Sequence, residues 1–435
     1  MSQKKTAPNP NTSKGTKIQR IVASVLTVAF IPLIFAFGIY GLVSNPEELV
    51  DSLRYSHARS YLASDEEGTK FFPMLKARIQ SLENTLGETV PLSSELGYLN
   101  ASFQYALGKR MVTQGDQMLL SLPDGQIYNM TTRQSLAAEA EEVVGFYEQL
   151  DGSVPFLFAY INPQFYTGSI EMPAGYDVID TGDELADQVL GIVRDAGIPA
   201  LDSRDFFADS GYTDNDLYLK TDMHWTTLAA LLATRIYAEQ IEQMTGVALD
   251  TSKIDLDQFE TVVYPDLFLG EYGQQLGECN TGLDDITFYL PTYETDFVRD
   301  SIEEDGTPEH AEGDFSEAVV KWDALDNEPD GTNIRGYVGY GLVEGLEEIT
   351  NRTGDCADLT LLIFRDSYTA PIGSFLSLMV KNVVMVDMRK MDGISAMELV
   401  EQYDPDMVIF SYSRQMFEDH RYDLGSGYDA SLDEV

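Results

Sequence analysis

Positive charge is scarce in this chain: 28 Lys and Arg residues face 72 Asp and Glu among 435, a formal net charge of −44 at pH 7. So acidic a surface repels phosphate backbones and anionic headgroups, which excludes nucleic acid as a partner and disfavours anionic lipid surfaces. Acidic faces of this kind ordinarily keep a protein solvated; a patch for a cationic partner is the alternative. Cysteine is scarcer still. Cys279 and Cys356 are the two present, enough for one disulfide in an oxidising compartment or for two separate thiols. Without a nearby histidine pair they cannot complete a structural zinc site, and no metal site is expected. Histidine occurs four times, so a side-chain base titrating near neutral pH must be His57, His224, His310 or His420. No internal repeat is found.

Hydrophobic residues make up 44% of the chain, a share that suits a globular α/β protein rather than a disordered one. The longest apolar run, Ile21 to Val43, carries no charge and can cross a bilayer as a helix of roughly 20 residues. Lys4, Lys5, Lys14, Lys17 and Arg20 precede it, and Glu47, Glu48 and Asp51 follow. The excess of cations before the run predicts a cytoplasmic N-terminus and an extracellular remainder. A cleaved signal peptide has a shorter apolar part, of about 7–15 residues. The expected order is therefore a cytoplasmic tail at 1–20, a single-pass transmembrane anchor at 21–43, a helical stalk or connector at 44–100, and one domain at 101–435.

In that domain the short apolar runs Val154–Ile161, Ile198–Leu201, Leu359–Phe364, Val383–Met388 and Met407–Tyr412 alternate with helical stretches such as AAEAEEVVGFYEQL and TLAALLATRIYAEQIEQM. Runs apolar on both faces are what a parallel sheet covered by helices requires. The fold class is therefore α/β, a doubly wound, mostly parallel sheet in a three-layer sandwich. Residues 252–340, rich in Asp, Glu, Gly, Pro and Tyr, break the rhythm and predict an inserted irregular or β segment over the sheet edge. It either forms part of a substrate surface or is simply solvated.

Reactive groups in an open parallel sheet gather at the carboxyl ends of strands. Asp-Ser occurs at Ser52, Ser203, Ser210, Ser301 and Ser367, so the dipeptide alone carries no information. Ser367 differs in context: it follows LTLLIF directly and precedes TAPIGSFLSLMV, where Pro371 suits a helix's first turn. A serine at such a strand-to-helix turn lies beside backbone N–H groups able to stabilise an oxyanion. It could equally serve only as a helix cap. Ser203, after IPAL, ranks second. Among the histidines, His224 stands immediately before a strong helix, with Asp222 two residues earlier. In an extended segment such a pair points the same way, so the carboxylate can fix the imidazole's tautomer and leave the other nitrogen to take the serine proton.

These segments carry a family resemblance. TDMHWTTLAALLATRIYAEQI resembles the signature of the DHHW family, relatives of the alginate O-acetyltransferase accessory proteins. DLTLLIFRDSYTAPIGSFLSLMVKNVVMVDMRKMDG is similar to the family's nucleophile block, and YDPDMVIFSYSRQMF to its last strand. The likeness spans roughly residues 50–435 and implies an SGNH-hydrolase-like fold. It assigns Ser367 as nucleophile, His224 as base and Asp222 as its orienter. Arg389, in an Asp-x-Arg, is a substrate or oxyanion contact or else a structural salt bridge; Tyr368 and Asn162 are further substrate-binding candidates. The implied activity is an extracytoplasmic serine-dependent O-acetyltransferase or acetylesterase acting on a cell-surface or exopolysaccharide glycan through an acyl-serine, with no cofactor. A multipass membrane O-acyltransferase is the implied partner. The alternative is a catalytically weak glycan-binding or assembly protein. Two positions depart from the pattern: Met223 replaces the motif's first histidine, and Arg365 stands where many SGNH enzymes have glycine.

Overall fold

The apolar runs become strands because each side chain along them finds a helical layer on its own side. In β4 (Phe156–Ile161), Leu157, Ala159 and Ile161 join one core, whereas Phe156, Phe158 and Tyr160 join the other. The same alternation separates Leu361 and Ile363 from Leu362 and Phe364 in β11 (Ala357–Arg365). It also separates Met407 and Ile409 from Val408 and Phe410 in β13 (Met407–Ser413). All of these residues are fully or almost fully buried, and each large one contributes about 1.5–3 kcal/mol of transfer free energy. Helices α1 (Ala137–Leu150), α2 (Gly182–Asp195) and α6 (Ala396–Tyr403) cover one face; α3 (Thr227–Thr245) and α5 (Ala370–Leu376) cover the other.

A computed structural model describes residue 99, residues 102–109, and all of 111–424 except 115–116, 123–124, 163–179, 303–307, 328–332, 335, 341–344, 392–393 and 420–423. These residues belong to one compact unit, Tyr98–Ala430. The expected tail and anchor, and the connector up to residue 98, lie outside the described residues. Among the described residues no helix is long and apolar enough to cross a membrane.

The central sheet has eight strands, ordered β5 (Ala200–Asp202), β4, β13, β11, β12 (Val380–Val386), β10 (Leu346–Asn351), β8 (Phe297–Ile302) and β9 (Pro308–Gly313). The first five are parallel. The last three are antiparallel to their neighbours. The sheet is thus mixed, mostly parallel but with an antiparallel edge of three strands. The reason lies in the inserted segment, which is more ordered than its composition suggests. Its β8 and β9 pair as antiparallel neighbours and, through β10, extend the sheet past β12. It also forms a separate hairpin, β6 (Phe259–Phe268) with β7 (Asp284–Pro291). A meander of β1 (Met111–Gln114), β2 (Gln117–Ser121) and β3 (Ile127–Met130) precedes the sandwich.

Helix α5 seats the candidate nucleophile, and it lies hard against β12. Pro371 in its first turn fixes the helix start. A Cβ added at Gly373 would stand 2.1 Å from Sδ of Met385, a fully buried residue of β12. Gly373→Ala should therefore destabilise the fold by about 1–3 kcal/mol through overpacking. Chemical denaturation of the purified variant measures this; an unchanged or raised midpoint contradicts so close a contact.

Candidate active site

β11 ends at Arg365, and the chain then turns through Asp366, Ser367, Tyr368 and Thr369 into α5. Asp366 holds that turn. One carboxylate oxygen accepts the Tyr368 N–H at 3.1 Å, and the other accepts the Ser413 N–H from the end of β13 at 2.7 Å. Burial raises the Asp366 pKa above its ordinary value, although the hydrogen bonds from Ser413 oppose this. Between Leu361 and Val380 only Ser367 is not buried. The fold thus presents one hydroxyl at the carboxyl edge of the sheet and covers its neighbours.

His224 arrives on the loop that leads into α3. The loop is pinched shut by a bridge between Tyr218 and Trp225 and by the Leu219 N–H on the His224 carbonyl at 3.1 Å. Its Nε2 lies 2.6 Å from Ser367 Oγ, and its Nδ1 is hydrogen-bonded to Asp222 Oδ1. With Asp222 ionised, Nδ1–H donates to the carboxylate and Nε2 accepts from the serine O–H. The expectation that Asp222 and His224 face alike in an extended segment is not how the pair forms. The chain bends there, and Asp222 Oδ1 also accepts the His224 N–H at 3.1 Å, an Asx-type turn.

Asp222 is 2% exposed. Burial pushes its pKa up, but His224 and the backbone N–H groups of Glu271 and His224 outweigh burial and hold it below the ordinary value. The Glu271 donor comes from the inserted segment, at the first residue of α4 (Glu271–Leu276), 2.9 Å from Asp222 Oδ2. Close approach there depends on glycine. A Cβ at Gly270 would lie 2.3 Å from the Asp222 Cβ and 2.6 Å from the Thr221 carbonyl oxygen. The Gly270 N–H donates to Thr221 Oγ1 and the Gly273 N–H to the Thr221 carbonyl, both at 2.8 Å. Asp284 on β7 accepts from the N–H of Lys220, the N–H of Thr221 and the Thr221 hydroxyl.

Aromatic rings enclose the imidazole. Tyr337 stacks on it with centroids 4.4 Å apart, and Tyr368 tilts against it at 4.6 Å. The Tyr368 hydroxyl donates to the Met223 carbonyl at 2.6 Å, and Trp225 Nε1–H donates to the Tyr368 carbonyl at 3.0 Å. The residue in place of the motif's first histidine thus serves through its backbone. Tyr368 is buried as packing around the base. Arg389 makes two bonds to Asp387, at 2.8 and 2.5 Å, with 29% of its side chain exposed. The salt-bridge role is the one seen. Arg365, fully buried, lies 3.8 Å from the same carboxylate. Asp387 remains below the ordinary aspartate range because the arginine partners, Arg389 foremost, outweigh burial. Asn162 sits at the end of β4, two strands from β11, with its N–H on Ser203 Oγ at 2.8 Å.

The remaining candidates lie elsewhere. His310 is exposed on β9, between Asp300 and Glu312; His57 and His420 lie outside the described residues. Cys279 and Cys356 are separate thiols. Among the described residues no group of three His, Cys, Asp or Glu side chains is placed to hold a metal ion. Sequence reasoning missed Glu271, Thr221, Asp284 and Tyr337. The spacing of Gly270, Gly273 and Gly277 was the available signal for close backbone approach. Nothing in the local pattern around Tyr337 marks it.

Residues 128–306 match the family described as "SGNH hydrolase-like domain, acetyltransferase AlgX"; the match includes Asp222 and His224 and ends before Ser367. No curated protein matches the chain. Among solved structures, a DHHW family protein from Eubacterium siraeum aligns at TM-score 0.53 and 18% identity, over 71% of this chain and 93% of its own. Bacillus cereus PatB1, in a structure with a sulfonyl adduct, aligns at TM-score 0.54 and 16% identity, over 70% and 97%. At these identities the likeness is one of fold. The chain therefore matches the SGNH hydrolase-like, acetyltransferase AlgX family over 128–306, and resembles the DHHW family in both its motifs and its fold.

Proposed function

We propose that the protein is an extracytoplasmic serine-dependent O-acetyltransferase or acetylesterase that acts on a cell-surface or exopolysaccharide glycan, anchored by residues 21–43 beside a membrane acyltransferase. The supporting observation is the unbroken chain of hydrogen bonds from Ser367 Oγ through both nitrogens of His224 to the buried carboxylate of Asp222. The acetyltransferase description of the matched family points to the acyl group.

In this reading Ser367 Oγ attacks the acetyl carbonyl while its proton passes to His224 Nε2. The resulting imidazolium is stabilised by Asp222, whose Oδ2 is meanwhile held by the Glu271 N–H. The negative charge on the carbonyl oxygen falls near the Ser367 N–H. That group makes no hydrogen bond among the described residues, whereas the Tyr368 N–H is bound to Asp366. Collapse of the tetrahedral intermediate returns the proton to the departing alcohol oxygen and leaves acetyl-Ser367. A sugar hydroxyl or water, deprotonated by His224, then releases the acetyl group. Removing the serine or the imidazole from such a relay costs roughly 10⁴-fold or more in turnover.

A fluorophosphonate probe should label wild-type protein at Ser367, fail to label Ser367→Ala, and label His224→Ala only weakly. Folded wild-type protein that takes no label contradicts the reading and favours a glycan-binding or assembly role.

The Glu271 N–H can be deleted with little cost to its helix, because proline is well tolerated at a first helical position and Gly270 already has the extended conformation that a following proline requires. Glu271→Pro should lower p-nitrophenyl acetate turnover by roughly ten- to a hundredfold, since a hydrogen bond to a charged group contributes roughly 1.5–3 kcal/mol. The depressed Asp222 pKa stabilises the fold above the ordinary value of 3.8, and that contribution disappears as pH falls through the lower folded value. The stability gap between wild type and variant should therefore be full at neutral pH and shrink as pH falls from 3.8 toward the lower folded value. Unchanged turnover in a folded variant contradicts the clamp.

A further inference from the structure

We propose that the groove beside Tyr337 is a saccharide subsite that accepts uncharged or amine-bearing sugars and rejects acidic ones. This rests on the acyl-serine reading for its placement next to Ser367, though the groove's chemistry stands on its own residues. A cavity of about 500 Å³ opens against one side of the site, bordered by Lys220, Trp225, Asp266, Asp285, Tyr289 and Tyr337. Two of these connect it to the chemistry. Tyr337 lies flat on His224, and Trp225 is bonded to the carbonyl of Tyr368, the residue after Ser367. Pro371, in the first turn of α5, also lines it. A ligand in the groove is thus one aromatic ring away from the base.

The lining joins aromatic surface to fixed acceptors. Tyr289 and Tyr337, both partly exposed, offer apolar surface for the C–H faces of a sugar ring, with Trp225 buried behind them. Asp216, Asp266 and Asp285 offer carboxylates to its hydroxyls, against Lys220 as the one cation in the lining; Asp284 also borders it, but its carboxylate is buried and bonded to Lys220 and Thr221. These acids are set by the backbone rather than loosely displayed. Asp285 accepts the Asp266 N–H at 2.8 Å, and Asp216 accepts the Thr213 N–H at 2.8 Å and its hydroxyl at 2.6 Å. Asp266 is brought to the rim where the β6–β7 register slips between Tyr264 and Phe268, with φ at +48°. Bulges of this kind commonly re-aim a side chain beside a site.

Three acids against one lysine make a field that opposes a carboxylate- or phosphate-bearing glycan and tolerates or attracts an amine. The commitment is to a hydroxyl-rich oligosaccharide without acidic groups. A polyuronate is the class that the groove excludes.

Calorimetry on the full-length Ser367→Ala protein in detergent tests this without requiring turnover. The probes are xylo-oligosaccharides, chitosan oligomers and oligogalacturonate. The neutral and amine-bearing oligomers should bind, with oligogalacturonate at least tenfold weaker, a gap that narrows at about 1 M salt as charge is screened. Asp266→Asn with Asp285→Asn should bring the oligogalacturonate closer to the neutral oligomer. Tyr289→Ala should weaken neutral binding by about two- to tenfold, the range of a lost aromatic contact. Oligogalacturonate binding as tightly as the neutral oligomer overturns the proposal, as does an absence of binding by all three or indifference to Tyr289→Ala. Failure of the acyl-serine reading shows separately, as wild-type protein that takes no fluorophosphonate.

Discussion

The buried carboxylate of Asp222 is the constraint around which the site is arranged. Removing a carboxylate from water is costly, and the ionised form persists only where partners replace the lost hydration. Here those partners are the His224 ring, the His224 N–H and the Glu271 N–H. One comes from the inserted segment, so the insertion is part of the site as well as of the sheet edge. Its glycines let the backbone of α4 reach the 221–222 turn, and Asp284 fixes that turn from the other side. The position of the imidazole follows from this packing, and the position of Ser367 from the sheet. The two meet at 2.6 Å.

A second set of acids steadies the nucleophile's side. Asp366 ties the turn after β11 to the end of β13, and Asp387, after β12, gathers Arg389 and Arg365. Three successive strand ends are thereby cross-linked through carboxylates. Arg365, in place of the glycine of many SGNH enzymes, has its side chain fully buried and turned toward Asp387. Its bulk is taken up within the protein on the Asp387 side of the turn.

Much of this was legible in the sequence wherever one strong pattern governed a segment. The two-sided apolar strands β4, β11, β12 and β13 showed as continuous Val, Ile, Leu and Phe runs, and α1 and α3 by their helical spacing. The pairing of Asp222 with His224 and the strand-end setting of Ser367 were also visible. What escaped depends on partners distant in the chain. β10 is LEEITN, and its fully buried Glu347 reads as a surface residue until Arg299 of β8 is seen 3.4 Å away. Arg299 and Lys321 are buried for the same reason, sharing Glu309. Acidic composition therefore hid the three antiparallel strands. Tyr337 was invisible because only the fold brings it from the insertion onto His224.

Asp222, held by the insertion, sets which nitrogen of His224 carries the proton. Nitrogen NMR of protein labelled at histidine measures this directly in the neutral ring. The His224 signal should show Nδ1 protonated and Nε2 unprotonated, and Asp222→Asn should shift the balance toward the other tautomer. A wild-type signal with Nε2 protonated, or one unaffected by Asp222→Asn, contradicts that role of Asp222.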